Sequence, residues 1–385
     1  MQSPFPYFGG KSRISDEIWR RFGTDLDNYV EPFYGSGAVH LAAPYIPKHE
    51  TINDVDAFVA NFWRAVQENP EGLAQQINWP VNEADQEARH KWMCQRERKA
   101  EFTERVKTNP EFHDLRYAAW WCWGLCCWIG SGWCDGEWVG PGSDDNRGCQ
   151  LNSKNGKLPH LGSSKGVHRK LPHLGSSMGV HRIRPQLSNA DVGECARREQ
   201  VMIEWMQQLC NRLRNVRVCC GDWSRVLTPC PTFALGITGV FLDPPYGEAA
   251  GRRANIYSED CLEVAVAVRQ WCLDAGKNPL MRIALCGYEG ERHEELEAHG
   301  WAVFQWEASG GYACIHGKLS EERAYLNKKK ERIWFSPACL RESTLFDGYD
   351  QTVDPDTPDD MDGTDGRLEP GRLGDSVAAD LPARS

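Results

Sequence analysis

No stretch of this 385-residue chain restricts its fold as tightly as Gly239-Val240-Phe241-Leu242, an apolar run that stops at Asp243-Pro244-Pro245-Tyr246. A short, continuous apolar run broken by an acid and two prolines predicts a strand buried on both faces. It should end at the carboxyl edge of a parallel sheet, where α/β proteins place their chemistry. Neither proline can donate to a ladder and both hold a fixed φ, so the loop is stiff and its carbonyls are aimed. An acid, an aimed carbonyl and an aromatic plate suit the holding of a flat base by its exocyclic amine. An ordinary strand exit has the same local signature, so the rest of the chain must decide between the two.

A second strand end lies in Tyr29-Val30-Glu31-Pro32-Phe33-Tyr34-Gly35-Ser36-Gly37-Ala38-Val39-His40-Leu41. Strand, Gly-x-Gly turn and amphipathic helix form the first β-turn-α of a doubly wound sheet, shaped for a nucleotide-like ligand against backbone. The third glycine of the dinucleotide fingerprint is missing and Glu31 closes the strand. A carboxylate there repels a pyrophosphate and suits a cation, which disfavours NAD and favours S-adenosylmethionine. About twenty residues on, Thr51-Ile52-Asn53-Asp54-Val55-Asp56 ends another strand, at the distance where an acid takes a ribose hydroxyl pair. Asp54 or Asp56 fits that role, and Asp56 also fits an N-cap for a helix from Ala57 to Val66. Before these, Pro6-Tyr7-Phe8-Gly9-Gly10-Lys11 offers close backbone approach at its glycines and a lysine that can meet a carboxylate. Ser15 to Trp19 then reads as the capped start of a short helix.

From about residue 60 to 120 the pattern is helical. Gln86 to Val106 is highly charged and reads as a solvated helix; Arg116 to Trp128 is rich in Trp and Cys, and its first half reads as a buried helix. Gly130 to Gly142 reads as a glycine-rich hairpin with exposed aromatics. The cysteines fit no paired Cys-x-x-Cys spacing, so no metal is expected. Residues 191 to 215 form a helix, Val216 to Asp222 a strand ending at an acid, and Glu259 to Ala275 a further helix. Arg282 to Cys286, Trp301 to Trp306 and Arg332 to Phe335 are strands. Strand–helix alternation on both sides of the middle section argues one α/β sheet interrupted by a second domain.

Charge is distributed unevenly. The formal net charge is −10, yet the segment from Asp347 onward holds eleven acids against Arg367, Arg372 and Arg384. Rich in Asp, Gly and Pro, residues 347–385 read as a disordered acidic tail. Conversely, no acid lies between Asn146 and Ala190, while Arg147, Lys154, Lys157, Lys165, Arg169, Lys170, Arg182 and Arg184 are basic. Lys157 to Arg169 repeats at once as Lys170 to Arg182, differing only where Lys165 becomes Met178. A segment that tolerates such duplication behaves as a surface loop, and its isolated positive charge is the footprint of phosphate binding. A merely flexible insertion is the alternative, and His160, His168, His173 and His181 read as solvent or DNA contacts rather than zinc ligands. The sixteen cysteines are scattered through a large chain without an export signal, which favours reduced thiols in the cytoplasm. No run approaches the ~20 apolar residues of a membrane span.

With these residues in hand, the chain resembles the DNA adenine methyltransferase family related to Dam. The likeness covers most of residues 4 to 336 in motif order: Tyr7-Phe8-Gly9-Gly10-Lys11, Glu31 to Gly37, Asp54, Asp222, Asp243 to Tyr246, and the closing Lys330 to Trp334. The family's recognition hairpin is only loosely echoed by Gly124 to Gly142, and the duplicated basic loop is extra. The resemblance implies a Rossmann-like S-adenosylmethionine-dependent sheet. Its catalytic parts would be residues 1–60 and 201–346, with an inserted helical and hairpin DNA-recognition domain at 61–200. It also implies methyl transfer to adenine N6 in double-stranded DNA. Asp243, Pro244, Pro245 and Tyr246 would be catalytic, and Tyr7, Gly10, Lys11, Glu31, Phe33, Gly35, Gly37, Asp54, Asp222 and Asp243 would hold the cofactor. Cytosine-N4 methylation and a non-catalytic DNA-binding protein on the same fold stay open. So do a separate restriction endonuclease partner and a solitary bacterial or phage modification enzyme, and both site-specific and relaxed recognition.

Overall fold

The computed structural model describes residues 1–5, 7, 11–127, 133–134, 192–245, 260–306 and 331–341. The chain divides into Met1–Arg341 and a second unit, Glu342–Ser385, which lies wholly outside the described residues. Tyr246, Gly10, the duplicated basic segment and the acidic tail are therefore expectations that fall outside them as well.

The described residues form a mixed α/β structure around a seven-stranded sheet. Its strands are β1 (Asn28–Glu31), β2 (His49–Asp54), β3 (Arg217–Cys220), β4 (Thr238–Leu242), β5 (Met281–Tyr288), β6 (Ala302–Gln305) and β7 (Glu331–Phe335). The order is β3-β2-β1-β4-β5-β7-β6. The first five run parallel, and β7 lies antiparallel between β5 and β6. This architecture is consistent with a methyltransferase fold. Strand order reverses between β1 and β4, where Val30 pairs with Val240, so the crevice outside their carboxyl ends is the switch point.

Both faces of the central strands are buried, as their unbroken apolar runs predict. Tyr29, Phe241, Ala284 and Cys286 pack on one face with α1 (Ser15–Phe22), which contributes Ile18, Trp19 and Phe22. Val30, Val240, Leu242, Ile283 and Leu285 take the other face with Val268 and Cys272 of α9 (Asp260–Ala275). The period-two pleat thus sorts a single apolar run between two cores. Helix α1 begins as expected, but its N-cap is Ile14 and no side chain caps it; the Ser15 hydroxyl instead donates to the Ser12 carbonyl at 2.8 Å.

A third core belongs to the helices beside β2 and β3. These are α3 (Ala57–Glu68), α4 (Pro70–Ile77), α5 (Glu83–Met93), α6 (Arg96–Thr108), α7 (Leu115–Cys127) and α8 (Val192–Leu213), following the short α2 (Ala38–Leu41). Asp56 caps α3, accepting from the Phe58 amide at 2.8 Å, as its position after a strand end predicts. Phe58, Phe62 and Trp63 of α3 meet Tyr117 and Trp121 of α7 and Trp205, Met206 and Leu209 of α8 in one cluster. The charged stretch at 86–106 departs from expectation: it is two helices broken at Cys94-Gln95, and Arg89, His90, Met93, Phe102 and Val106 are buried. Aromatic partners explain the tolerated charge, since the Arg89 guanidinium lies over the rings of Trp79, Trp120 and Trp123. Trp133, read as an exposed aromatic, is buried beneath α7, where its indole N–H donates to the Trp121 carbonyl at 3.1 Å.

Candidate active site

Four adjacent strands deliver their carboxyl ends to one edge: β3 at Asp222, β2 at Asp54, β1 at Glu31 and β4 at Asp243. The Lys11 ammonium meets Asp243 Oδ2 at 3.0 Å, with the lysine side chain only 3% exposed. Burial alone would depress the Lys11 pKa, but the negative charge of Asp243, with a smaller contribution from Glu331, holds it above the ordinary lysine range. Lys11 therefore stays charged against the strand-end acid.

Glu31 is buried and accepts a hydrogen bond from the Tyr29 hydroxyl at 2.7 Å. Burial pushes its carboxyl well above the usual range, and the charges of Asp243 and Asp54 push in the same direction. Asp54 is pushed up to about 7, first by burial and then by Asp56, against backbone amides that favour its charged form. Two of those amides make explicit hydrogen bonds: Gly35 N–H donates to Asp54 Oδ2 at 2.9 Å and Asp56 N–H to Oδ1 at 2.9 Å. Acids that repel one another's charge in a buried edge form a site whose electrostatics favour a cation.

The Gly-x-Gly turn is shaped by contacts as well as by φ. Gly35 (φ +47°) lies under the Tyr7 ring, whose Cδ1 and Cε1 would stand 2.6 Å from any added Cβ. Gly37 (φ +65°) packs against the Tyr34 ring in the same way. From below, the Trp63 indole N–H donates to the Gly35 carbonyl at 3.0 Å. Phe33, also half-buried, faces Trp223 in an offset stack with ring centroids 6.1 Å apart. Asp222 is at the expected edge, but its carboxylate is turned into a cap for the 3-10 turn Trp223–Val226. It accepts from the Ser224 amide at 2.9 Å and from the Ser224 hydroxyl.

Residues that the sequence did not single out hold this edge together. Asn53, buried between Ile52 and Asp54, donates to the carbonyls of Pro32 and Gly221 at 3.0 Å each, joining the β1 and β3 loops. A polar amide inside a strand is unusual, and that was the available signal. Tyr34 meets His40 Nδ1 at 2.9 Å, and His40 Nε2 meets Glu50 Oε1 at 2.9 Å. Arg212 then grips both Glu50 oxygens at 2.6 and 2.7 Å. This buried chain runs from α8 to the glycine turn, and spacing along the sequence gives no hint of it.

Residues 7–123 match the family model described as D12 class N6 adenine-specific DNA methyltransferase. The matched span carries Tyr7, Lys11, Glu31, the Gly-x-Gly turn and Asp54, and it ends ahead of Asp243. The match supports methylation of adenine in DNA as the activity, and the mixed α/β sheet agrees with it. No curated protein matches the chain. Among the described residues no helix is long and apolar enough to cross a membrane.

Proposed function

We propose that this protein transfers a methyl group from S-adenosylmethionine to the N6 amine of adenine in double-stranded DNA. The observation that carries the reading is the convergence of Glu31, Asp54 and the Lys11-held Asp243 on one switch-point edge. The donor set fits the methyl donor: buried acids favour its sulfonium and amino charges, Asp54 suits its ribose hydroxyls, and the side-chain-free Gly35 and Gly37 cradle a ligand against backbone. Phe33 and Trp223 offer flat faces for its adenine ring. When bound, S-adenosylmethionine supplies an electrophilic methyl carbon.

The chain's own groups supply orientation. Adenine N6 is a poor nucleophile because its lone pair is delocalised into the ring. Asp243 and the Pro244 carbonyl accept its two N–H groups, which favours a more tetrahedral nitrogen and frees the lone pair. The paired prolines keep that carbonyl aimed, Lys11 fixes the carboxylate, and Tyr246 stacks on the base. A base so held must leave the duplex, and much of the rate comes from alignment. Arg147, Lys154, Lys157, Lys165, Arg169, Lys170, Arg182 and Arg184 contact phosphates, which position without reading sequence.

The test uses purified protein, labelled S-adenosylmethionine and duplexes of varied sequence, with the modified nucleosides identified by mass and mapped. N6-methyladenine is expected, and mapping shows whether it falls at one short sequence or at most adenines. N4-methylcytosine, or no methylation together with no cofactor binding, would overturn the reading. Asp243→Asn keeps volume beside the buried Lys11 and is expected to bind S-adenosylmethionine while losing methylation. Unchanged turnover in that variant would remove Asp243 from the mechanism.

A further inference from the structure

A second cluster of chemically capable side chains lies in the helical layer, away from the sheet edge. His90, Cys94 and Cys134 place one imidazole nitrogen and two sulfurs all within 4.8 Å of one another, and the three residues are 1%, 0% and 3% exposed. His90 sits in the last turn of α5 and Cys94 just beyond it, one helical turn apart, so both side chains share a face. Cys134 arrives from the far side of α7, forty residues later.

Three helices hold Cys134 in place. Its amide donates to His90 Nε2 at 3.3 Å, and Lys99 of α6 donates to its carbonyl at 2.8 Å. The neighbouring Trp133 ring stacks on His90 with centroids 4.8 Å apart and presses against Gly124 of α7, where no Cβ would fit. Cys134 itself adopts φ +61°, a left-handed conformation that costs a non-glycine residue about 1–2 kcal/mol. Packing alone needs no sulfur in such a position.

We infer that His90, Cys94 and Cys134 form a zinc-binding site that fastens the chain after α7 to the end of α5. Tetrahedral zinc has Zn–S near ~2.3 Å and Zn–N near ~2.0 Å, which sets donors roughly 3.5–3.8 Å apart. The present 4.8 Å span therefore closes by about one ångström. Two thiolates and a neutral imidazole cancel the ion's charge, so the buried centre carries no net charge and avoids the penalty of an unpaired one. Binding replaces the long 3.3 Å amide contact at His90 Nε2, releases the two thiol protons and leaves a fourth position for water. Soft thiolate donors select zinc over magnesium or calcium. The site is independent of the sheet edge, and its role is to anchor the start of the stretch that carries the acid-free basic segment. Its ligands are a His-x-x-x-Cys pair and one distant cysteine, a spacing outside the paired Cys-x-x-Cys pattern.

The test loads the full chain with zinc chloride or cobalt chloride after chelator treatment and desalting. One ion per chain is expected by elemental analysis, with thiolate-to-cobalt charge-transfer absorption for the cobalt form. The Cys94→Ser/Cys134→Ser variant should lose the ion, and Cys230→Ser, which changes an exposed cysteine elsewhere, should keep it. Failure of the wild-type chain to take up either ion overturns the inference. So does full zinc content in the double variant, which would point to the histidines of the duplicated segment instead. Should the double variant misfold, alkylation of wild-type protein with and without zinc decides. In a urea concentration at which the zinc-free buried thiols react, zinc-dependent protection must fall on Cys94 and Cys134; protection of neither refutes the site.

Discussion

Replacing Gly35 by alanine perturbs the turn through two separable effects. At φ +47° a Cβ costs about 1–2 kcal/mol in backbone conformation. The same Cβ would stand 2.6 Å from two Tyr7 ring carbons, whereas carbon pairs normally rest ~3.5–4.0 Å apart. Tyr7 or the turn must therefore shift by about one ångström, and overpacking of this kind costs roughly 1–3 kcal/mol. The single variant should lose about 2–5 kcal/mol by urea unfolding. In a Tyr7→Ala background only the backbone cost remains, so a double-mutant cycle should return a coupling of about 1–3 kcal/mol. Because the Gly35 amide also holds Asp54, at 2.9 Å, the single variant should bind S-adenosylmethionine at least tenfold more weakly by calorimetry. Additivity of the two substitutions within about 0.5 kcal/mol would refute the steric argument. A harmless Gly35→Ala would refute both parts of it.

Asn53→Ala strips the amide donors from the buried Pro32 and Gly221 carbonyls; at about 1–3 kcal/mol for each unsatisfied group, urea unfolding should register a loss of roughly 2–6 kcal/mol. Arg212→Met leaves Glu50 buried without its two-pronged partner and should cost about 3–5 kcal/mol, whereas Arg212→Met/Glu50→Met should recover much of that. A double variant no better than the single one would argue against a charge effect. Asp54 sets a pH dependence of defined sign. Its carboxyl is pushed up to about 7 against a reference of 3.8, so between these values the native state holds a proton that the unfolded chain has lost. Stability conferred on the free protein by this residue falls as pH rises from about 4 to about 7, while S-adenosylmethionine affinity rises through the same upper range. The measurement is the difference between wild type and Asp54→Asn across pH; parallel curves would contradict it.

Much of the sheet edge is legible in the amino-acid sequence, because buried parallel strands leave a direct trace. The runs ending at Glu31, Asp54, Asp222 and Asp243 are short and sharply stopped at an acid, and each lies at a carboxyl end, with Gly239 to Leu242 the most continuously apolar of the four. Asp56 capping α3 was legible for the same local reason. What escaped is non-local. Lys11 reaches Asp243 across most of the chain, and Arg212 reaches Glu50 from α8. The stretch at 86–106 looked solvated because its charge count ignores where the rings lie; Arg89 is buried by three tryptophans from other segments. Asp222 shows the converse, since a correct position in the chain did not fix where its carboxylate points.

The packing of α8 bears on the duplicated segment's history. Through Arg212 on Glu50, and through Gln67 on the carbonyls of Leu213 and Val216, the chain that follows the duplication is locked to elements that precede it. Cys134 is likewise pinned on the near side. The two ends of residues 135–191 are thus set by the helical layer, not by the length of what joins them. Even for a fully flexible connection, adding thirteen residues to one this long changes the closure entropy by only ~0.2–0.3 kcal/mol. A tandem copy can arise there almost without thermodynamic consequence for the fold. The spacing between Cys134 and α8 therefore places no demand on how many residues join them, and the strand ends of the sheet edge stay as they are.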